Sequence, residues 1–175
     1  MEQENQIKNL IEKIEKFKAG DNIDLSSQED LAIAVMNLIA IEEHLFFTYG
    51  KTGKEKYLDL LNEVRQMRKT YLAKIVKNPE GEIWCISKHL LSSVMRLIEV
   101  GTKMLNDNKK NEAEELFGKA NSLWNMFWGL NLNILDVKDI PQEENEEIKL
   151  KQGKSVSVFS VLGKIINKIL DCCRE

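Results

Sequence analysis

Proline and glycine are scarce in this sequence, which has two prolines and nine glycines in 175 residues. Strand-like alternation of apolar and polar residues is also scarce, and Leu, Ile, Lys, Glu and Asn dominate. Together these features favour helix over sheet throughout the chain. With 43% hydrophobic residues the chain is long enough for one domain with a core and short for two. The first prediction is an all-α fold.

Cysteine and histidine are too few and too poorly spaced for the common structural and catalytic motifs. Cys85 stands alone and Cys172 is adjacent to Cys173, so no framework of spaced disulfide pairs exists. The two histidines, His44 and His89, form no zinc spacing with the cysteines. A dimetal carboxylate site needs Glu-x-x-His on two helices, and the sequence contains no such motif. We therefore predict no metal and no cofactor.

The sequence also lacks an evident targeting or membrane segment. No uninterrupted apolar run approaches the roughly 20 residues of a transmembrane helix, and residues 1–9 are polar, unlike a signal peptide. We expect a cytoplasmic protein without a membrane span.

Charge of one sign does not dominate, since the formal net charge is −3. This balance disfavours nonspecific nucleic-acid binding as the main role. The charges are nevertheless segregated: residues 1–50 hold 4 basic and 10 acidic side chains, and residues 51–110 hold 13 and 7. Oppositely charged helices packed side by side explain this pattern most simply.

Apolar residues recur with helical spacing in six segments, separated by short polar links. Two of the links have the form of capping boxes, at residues 26–29 and 52–55, and Asn78 to Gly81 has the form of a type I turn. Such short links make successive helices antiparallel. We predict an up-and-down antiparallel four-helix bundle with additional N-terminal and C-terminal amphipathic helices. The predicted helices are 4–18, 29–49, 53–77, 82–105 and 111–131 in a bundle domain 1–131, then an acidic linker 132–154 and a C-terminal helix 155–175.

The helix predicted at 29–49 is apolar almost all the way round, and yet it carries Glu42, Glu43 and His44 in a row. Such a helix normally runs through the middle of a bundle, where a charge needs a partner. At 100° per residue the three side chains point in different directions, so they cannot form one compact triad. Glu42 points into the main apolar stripe and has the greatest need of a partner.

Two arginines of the next helix are candidate partners for Glu42. Arg68 falls inside the apolar face of that helix and Arg65 lies at its edge. An estimated axial offset of roughly 12 Å between Glu42 and Arg68 favours Glu42–Arg65 as the pair. Two interpretations remain open: an ion pair that sets the register of the helices, or a pocket for a small anionic ligand lined by the arginines.

The remaining polar candidates lie on helix faces. His44 shares a face with Asn37 and Thr48, which suits a hydrogen-bonded packing residue. His89 and Arg96 are one heptad apart and together could grip a phosphate or carboxylate, although a solvated polar strip explains them more simply. The candidate ligand-binding residues are Glu42, Glu43, His44, Arg65, Arg68, His89 and Arg96. No catalytic residue is assigned.

Three hypotheses of function follow from these patterns. The first is a non-enzymatic interaction module that binds protein partners or self-associates as a homo-oligomer, favoured by the absence of catalytic spacing. The second is a bundle enzyme or small anionic-ligand binder with a polar pocket. The third is a nucleic-acid accessory protein that uses the basic segment 51–110, although its lysines and arginines are scattered and no aromatic platform alternates with them.

Overall fold

A computed structural model of the chain describes residues 25–77 and 82–135, together with the single positions Asn9, Glu12 and Gly163. Within these residues the chain forms four helices and no strand, which confirms the all-α prediction. The helices are α1 (Ser26–Thr52), α2 (Lys56–Ile75), α3 (Glu82–Asn106) and α4 (Lys110–Asn131).

Both predicted capping boxes are wrong, and this moves the helix boundaries. α1 begins at Ser26 itself, preceded by the buried residue Leu25, whose carbonyl accepts hydrogen bonds from the next turn. α1 continues to Thr52, three residues beyond the predicted end, and stops at Gly53. Gly53 has φ 62°, and its N–H donates to the Tyr49 carbonyl at 2.7 Å, the left-handed termination that glycine favours.

The four helices pack as two pairs. α1 packs along α2 and α3 packs along α4, and the helices of each pair are joined by a link of three residues. The two pairs meet through a smaller contact between α1 and α3. α1 is therefore covered by α2 on one side and by α3 on another, and it does not run through the centre of the described structure as its composition predicts.

The core is formed by one end of each of the four helices. It is built from the first part of α1, the end of α2, the first half of α3 and the second half of α4. Its largest side chains are Phe127 and Trp128, which are fully buried and lie edge-to-face with ring centroids 5.1 Å apart. Trp124 stacks on Phe127 at 5.9 Å. The last part of α1 and the first part of α2 contribute nothing to this core.

The chain stays packed beyond the end of α4. Ile134 and Leu135 are buried in the core, and both of their N–H groups donate to the Gly129 carbonyl, at 2.9 and 2.8 Å. Asn133 adopts φ 56°, which lets the backbone turn back onto the helix. The predicted linker therefore does not begin at residue 132.

Several predicted elements lie wholly or largely outside the described residues. These are the N-terminal helix 4–18, the turn at 78–81, the remainder of the linker and the C-terminal helix 155–175. The single positions described within the terminal segments are all helical. Asn9 and Glu12 are exposed, whereas Gly163 is buried and lies against the side chain of Asn125 in α4.

α1 requires one further correction to the sequence analysis. By length and composition it is apolar enough to cross a membrane, because residues 31–48 contain only two residues of the Asp, Glu, Lys and Arg types, Glu42 and Glu43. Core helices of soluble proteins and signal sequences pass the same test, so this property alone carries little weight.

Two glycines in helices offer a test of how α3 and α4 pack. A methyl group at Gly101 would lie 2.6 Å from Cε1 of Phe117, whereas one at Gly118 meets nothing within 4 Å. We expect Gly101→Ala to lower the free energy of unfolding by about 1–2 kcal/mol, because overpacking outweighs the gain in helix propensity. Gly118→Ala is the control and is expected to raise it by about 0.5–1 kcal/mol. Urea denaturation of both variants checks this; equal stabilisation by both would contradict the close α3–α4 contact.

Candidate functional site

Glu42 is held by Arg68 in a largely buried ion pair between α1 and α2. Nε of Arg68 donates to Oε1 of Glu42 at 2.5 Å, and Nη2 donates to Oε2 at 3.4 Å. The side chains of Arg68 and Glu42 are only 4% and 15% exposed. This two-point geometry matches the guanidinium fork to the carboxylate and ties the two helices together.

The predicted partner Arg65 is wrong, and so is the axial offset on which that prediction rested. Because α1 ends at Thr52 and α2 begins at Lys56, Glu42 lies ten residues before the end of its helix and Arg68 twelve residues after the start of the next. The axial offset is therefore about 3 Å, not the roughly 12 Å estimated from sequence. Arg65 lies at a similar level but is exposed. The face of α2 decides which arginine is used.

Glu43 binds a different helix. Its carboxylate accepts a hydrogen bond from Nη2 of Arg96 in α3, and Nη1 of Arg96 donates to Glu99 at 2.8 Å. Lys103 donates to the other oxygen of Glu99 at 3.0 Å. The hydrogen bond from Lys103 and the charges of Lys103 and Arg96 lower the pKa of Glu99. The Glu43 and Arg96 side chains are nearly half exposed, so this network is a surface bridge between α1 and α3.

The other three predicted site residues are solvent-exposed or lie at the surface of their helices: His44, Arg65 and His89. His44 therefore does not form the polar packing seam predicted for it. The seven candidates separate into a dry pair between α1 and α2, a surface bridge between α1 and α3, and exposed single residues. They do not converge on a common pocket.

An open groove lies between α1, α3 and α4, with a volume of about 390 Å³. The residues that line it are mainly apolar. Two of these residues, Ile33 on α1 and Ile98 on α3, have large side chains that are more than 40% exposed. Two polar side chains, Glu29 and Asn121, also line it. The complete lining is Glu29, Ile33, Met36, Val94, Ile98, Phe117, Ala120, Asn121 and Trp124.

Glu29 is the ionisable group of this groove. Partial burial, with a smaller contribution from the charge of the adjacent Asp30, raises the pKa of its carboxyl group. Glu29 makes no ion pair with any described residue. A positive charge placed near it would relieve the cost of its burial.

A second uncovered surface is formed by residues 37–67, the later part of α1 with the link and the first part of α2, which we call the apolar arm. Not one residue of this segment is buried. Six of its large apolar side chains are 40–58% exposed, and two of these, Phe46 and Phe47 near the end of α1, lie edge-to-face with centroids 5.3 Å apart. The exposed apolar residues of the arm are Ile41, Phe46, Phe47, Leu58, Leu60 and Met67.

The buried polar groups of the core serve packing. Asn131 donates from Nδ2 to the Ser87 hydroxyl at 3.0 Å and to the Phe127 carbonyl at 2.8 Å, which links α4 to α3. Asn125 is buried, and its Nδ2 lies against Gly163. Two other buried polar atoms, Oδ1 of Asn125 and Nε1 of Trp128, form no hydrogen bond with a described residue.

The chemistry that this arrangement supports is contact between apolar surfaces. No group of three or more His, Cys, Asp or Glu side chains with the geometry of a metal site occurs among the described residues. Two cations of the predicted site, Arg68 and Arg96, are already paired with carboxylates. The groove and the apolar arm therefore remain as the candidate functional surfaces.

Sequence reasoning did not identify either surface. Part of the signal for these surfaces is nevertheless in the sequence, because residues 31–48 lack a polar face. A helix without a polar face is either covered on all sides by its own chain or offers a surface for a binding partner. Comparison of the chain with protein-family models, with curated proteins and with solved structures finds no match.

Proposed function

We propose that this protein is a non-enzymatic helical interaction module that works as a homo-oligomer, with the apolar arm at the contact between copies. The observation that carries the proposal is the complete lack of buried residues between positions 37 and 67, in a segment with six large exposed apolar side chains. Contiguous apolar surface of this kind marks interaction sites in soluble proteins.

We further propose the up-and-down antiparallel arrangement of the four helices. Links of three residues at Gly53–Glu55 and Asp107–Lys109 support it, because so short a connection between packed helices requires the chain to reverse. In this arrangement both links lie at the end away from the core, beside the apolar arm.

The alternatives have weaker support. Binding of a small anion would need free cations in a cavity, whereas Arg68 and Arg96 are neutralised by Glu42, Glu43 and Glu99. The groove described above is apolar and carries a carboxylate, which repels anions. Nucleic-acid binding would need a basic stripe, and in α2 the acids Asp59 and Glu63 separate Lys56 from the other exposed lysines.

Sedimentation velocity over a wide range of concentration tests the oligomer. We expect wild-type particles of at least two chains, and we expect Phe46→Ser/Phe47→Ser to raise the dissociation constant at least about 30-fold, since buried aromatic anchors dominate interfaces. Leu105→Ser is the matched control, because Leu105 is also a large exposed apolar residue, at 44%, but lies at the end of α3 outside the arm. It should leave the mass unchanged.

Three results would overturn the proposal. One is a wild-type mass of one chain at every concentration. Another is an unchanged association of the double variant. The third is a monomer that floats with phosphatidylcholine vesicles through the same two phenylalanines, which would make the arm a lipid-binding surface.

A further inference from the structure

One face of α1 is left largely uncovered from its first turn to its last. Glu29, Ile33, Ala40, Phe47 and Lys51 lie within about 20° of one line along the helix, which we call the α1 stripe. Ile33, Phe47 and Lys51 are exposed, and Glu29 and Ala40 are half-buried. The stripe faces away from α2, because the α2-facing side of α1 at this level carries the acid paired with Arg68, about 160° from Ala40.

The α1 stripe is self-complementary about its centre. Ile33 and Phe47 are each seven residues from Ala40, and Glu29 and Lys51 are each eleven residues from it. Two copies of α1 packed antiparallel around a twofold axis at Ala40 place each residue opposite its counterpart, because such a contact uses the same patch on both chains. Apolar residues then face apolar residues, and the acid faces the base.

The small side chain at the centre of the stripe suits this packing. The distance between two packed helices depends on the side chains at their point of contact. The methyl group of Ala40 lets the two helices approach closely at the axis, so the larger side chains on either side, Ile33 and Phe47, can reach the opposite copy.

The groove adds a receptor for the aromatic side chain. Ile33 forms part of the groove wall, together with Ile98 and Trp124. A phenylalanine that approaches Ile33 from a second copy therefore enters the groove, which is open and has room for it at about 390 Å³. Glu29 lines the same groove, and neither Glu29 nor Lys51 forms an ion pair with a described residue.

We propose that the chain forms a twofold dimer in which α1 packs antiparallel on α1 of a second copy, with Ala40 at the axis. Phe47 of each copy fills the groove of the other, and Lys51 of each pairs with Glu29 of the other. This inference rests on the proposed self-association and adds the surface, the register and the charge contact. The symmetry of the stripe favours a second copy over an unrelated partner, because only a copy of the same chain needs the two halves of one helix to match.

Charge exchange tests the register without removing apolar contacts. Glu29→Lys and Lys51→Glu each place like charges together twice in the dimer, so we expect each variant to raise the dissociation constant about 10-fold in low salt. The combined Glu29→Lys/Lys51→Glu variant restores opposite charges and should return to within about 3-fold of wild type. Glu29→Lys/Lys56→Glu is the control; it carries the same net charge but should not recover, because Lys56 lies outside the stripe.

Crosslinking gives an independent test of the axis. In a background in which Cys85, Cys172 and Cys173 are replaced by serine, Ala40→Cys should form a disulfide-linked dimer on oxidation, since a residue on a twofold axis meets its own copy. The change adds only a sulfur atom, so it should leave the close approach of the helices intact. Gln66→Cys, exposed on α2 and outside the stripe, should remain unlinked.

The outcomes separate this inference from the proposed function. A dimer that persists without recovery in the charge exchange and without the Ala40→Cys crosslink overturns the register while leaving self-association intact. A wild-type monomer overturns both proposals. If one of the chain's own terminal segments filled the groove, the wild type would be a monomer and Phe47→Ser would not change its mass.

Discussion

Replacing Glu42 with alanine is expected to lower the free energy of unfolding by about 3 kcal/mol, whereas replacing Glu43 with alanine should change it by less than about 1 kcal/mol. The two residues are adjacent, have the same side chain and each bind an arginine of another helix. They differ in burial: the Arg68 side chain is 4% exposed, and the Arg96 side chain is 48% exposed. Loss of Glu42 leaves the buried guanidinium of Arg68 without a partner, whereas loss of Glu43 leaves Arg96 exposed to water and still bound to Glu99.

A double variant distinguishes an unpaired charge from lost packing. Glu42→Leu/Arg68→Met removes both charges and keeps apolar volume, so it should recover most of the stability that Glu42→Ala loses. Urea unfolding should be compared at one fixed chain concentration, because association adds to apparent stability. If Glu42→Ala and Glu43→Ala cost the same, or if the double variant is no more stable than Glu42→Ala, the pair does not act as a buried ion pair.

The helix pattern was predictable where one face of the helix is clearly apolar. α3 was expected at 82–105 and spans Glu82–Asn106, because its narrow polar strip makes the helical period unambiguous. The end of α1 was harder to place. Gly50 resembled the residue that ends the helix, but α1 ends at Gly53, where the backbone takes the left-handed conformation. Sequence alone does not say which of two nearby glycines ends a helix, since that depends on how far the partner helix extends.

The separation of Glu42, Glu43 and His44 was also predictable. Helical angles alone indicated three different directions, and the three side chains contact α2, α3 and solvent respectively. The identity of the arginine partner was not predictable in the same way. The wrong helix boundaries placed Arg68 too far along its helix. In the structure both arginines lie near the level of Glu42, and the face of α2 decides between them, because Arg68 is buried and Arg65 is exposed.

The groove and the apolar arm lie beyond what periodicity can give. The spacing of apolar residues indicates which side chains are buried, but it does not show which apolar faces pack against one another. The all-round apolar character of α1 suggested a central helix, and only the packing reveals that α2 and α3 cover parts of it and leave the rest open. The same composition therefore fits a buried helix and an interaction surface.

Phe127→Ala is the second substitution for which we expect a large effect, a decrease of about 3–5 kcal/mol in the free energy of unfolding. Phe127 is fully buried, stacked on Trp124 and edge-to-face with Trp128, so its loss opens a cavity and breaks two aromatic contacts. Near-UV circular dichroism should weaken as well, because both tryptophans lose their fixed neighbour.

Phe46→Ala provides the control for this prediction and connects stability to association. Phe46 also lies in an aromatic pair, with Phe47, but is 58% exposed, so truncation removes little buried surface from the single chain and should cost less than about 1 kcal/mol at concentrations where the chain is monomeric. At higher concentrations the order of effects should reverse for self-association. Phe46→Ala weakens it by removing the ring that lies against Phe47, whereas Phe127 reaches no surface through which a second copy could act. A large loss of monomer stability in Phe46→Ala would show that the arm is held by its own chain, and the case for a second copy would then fall.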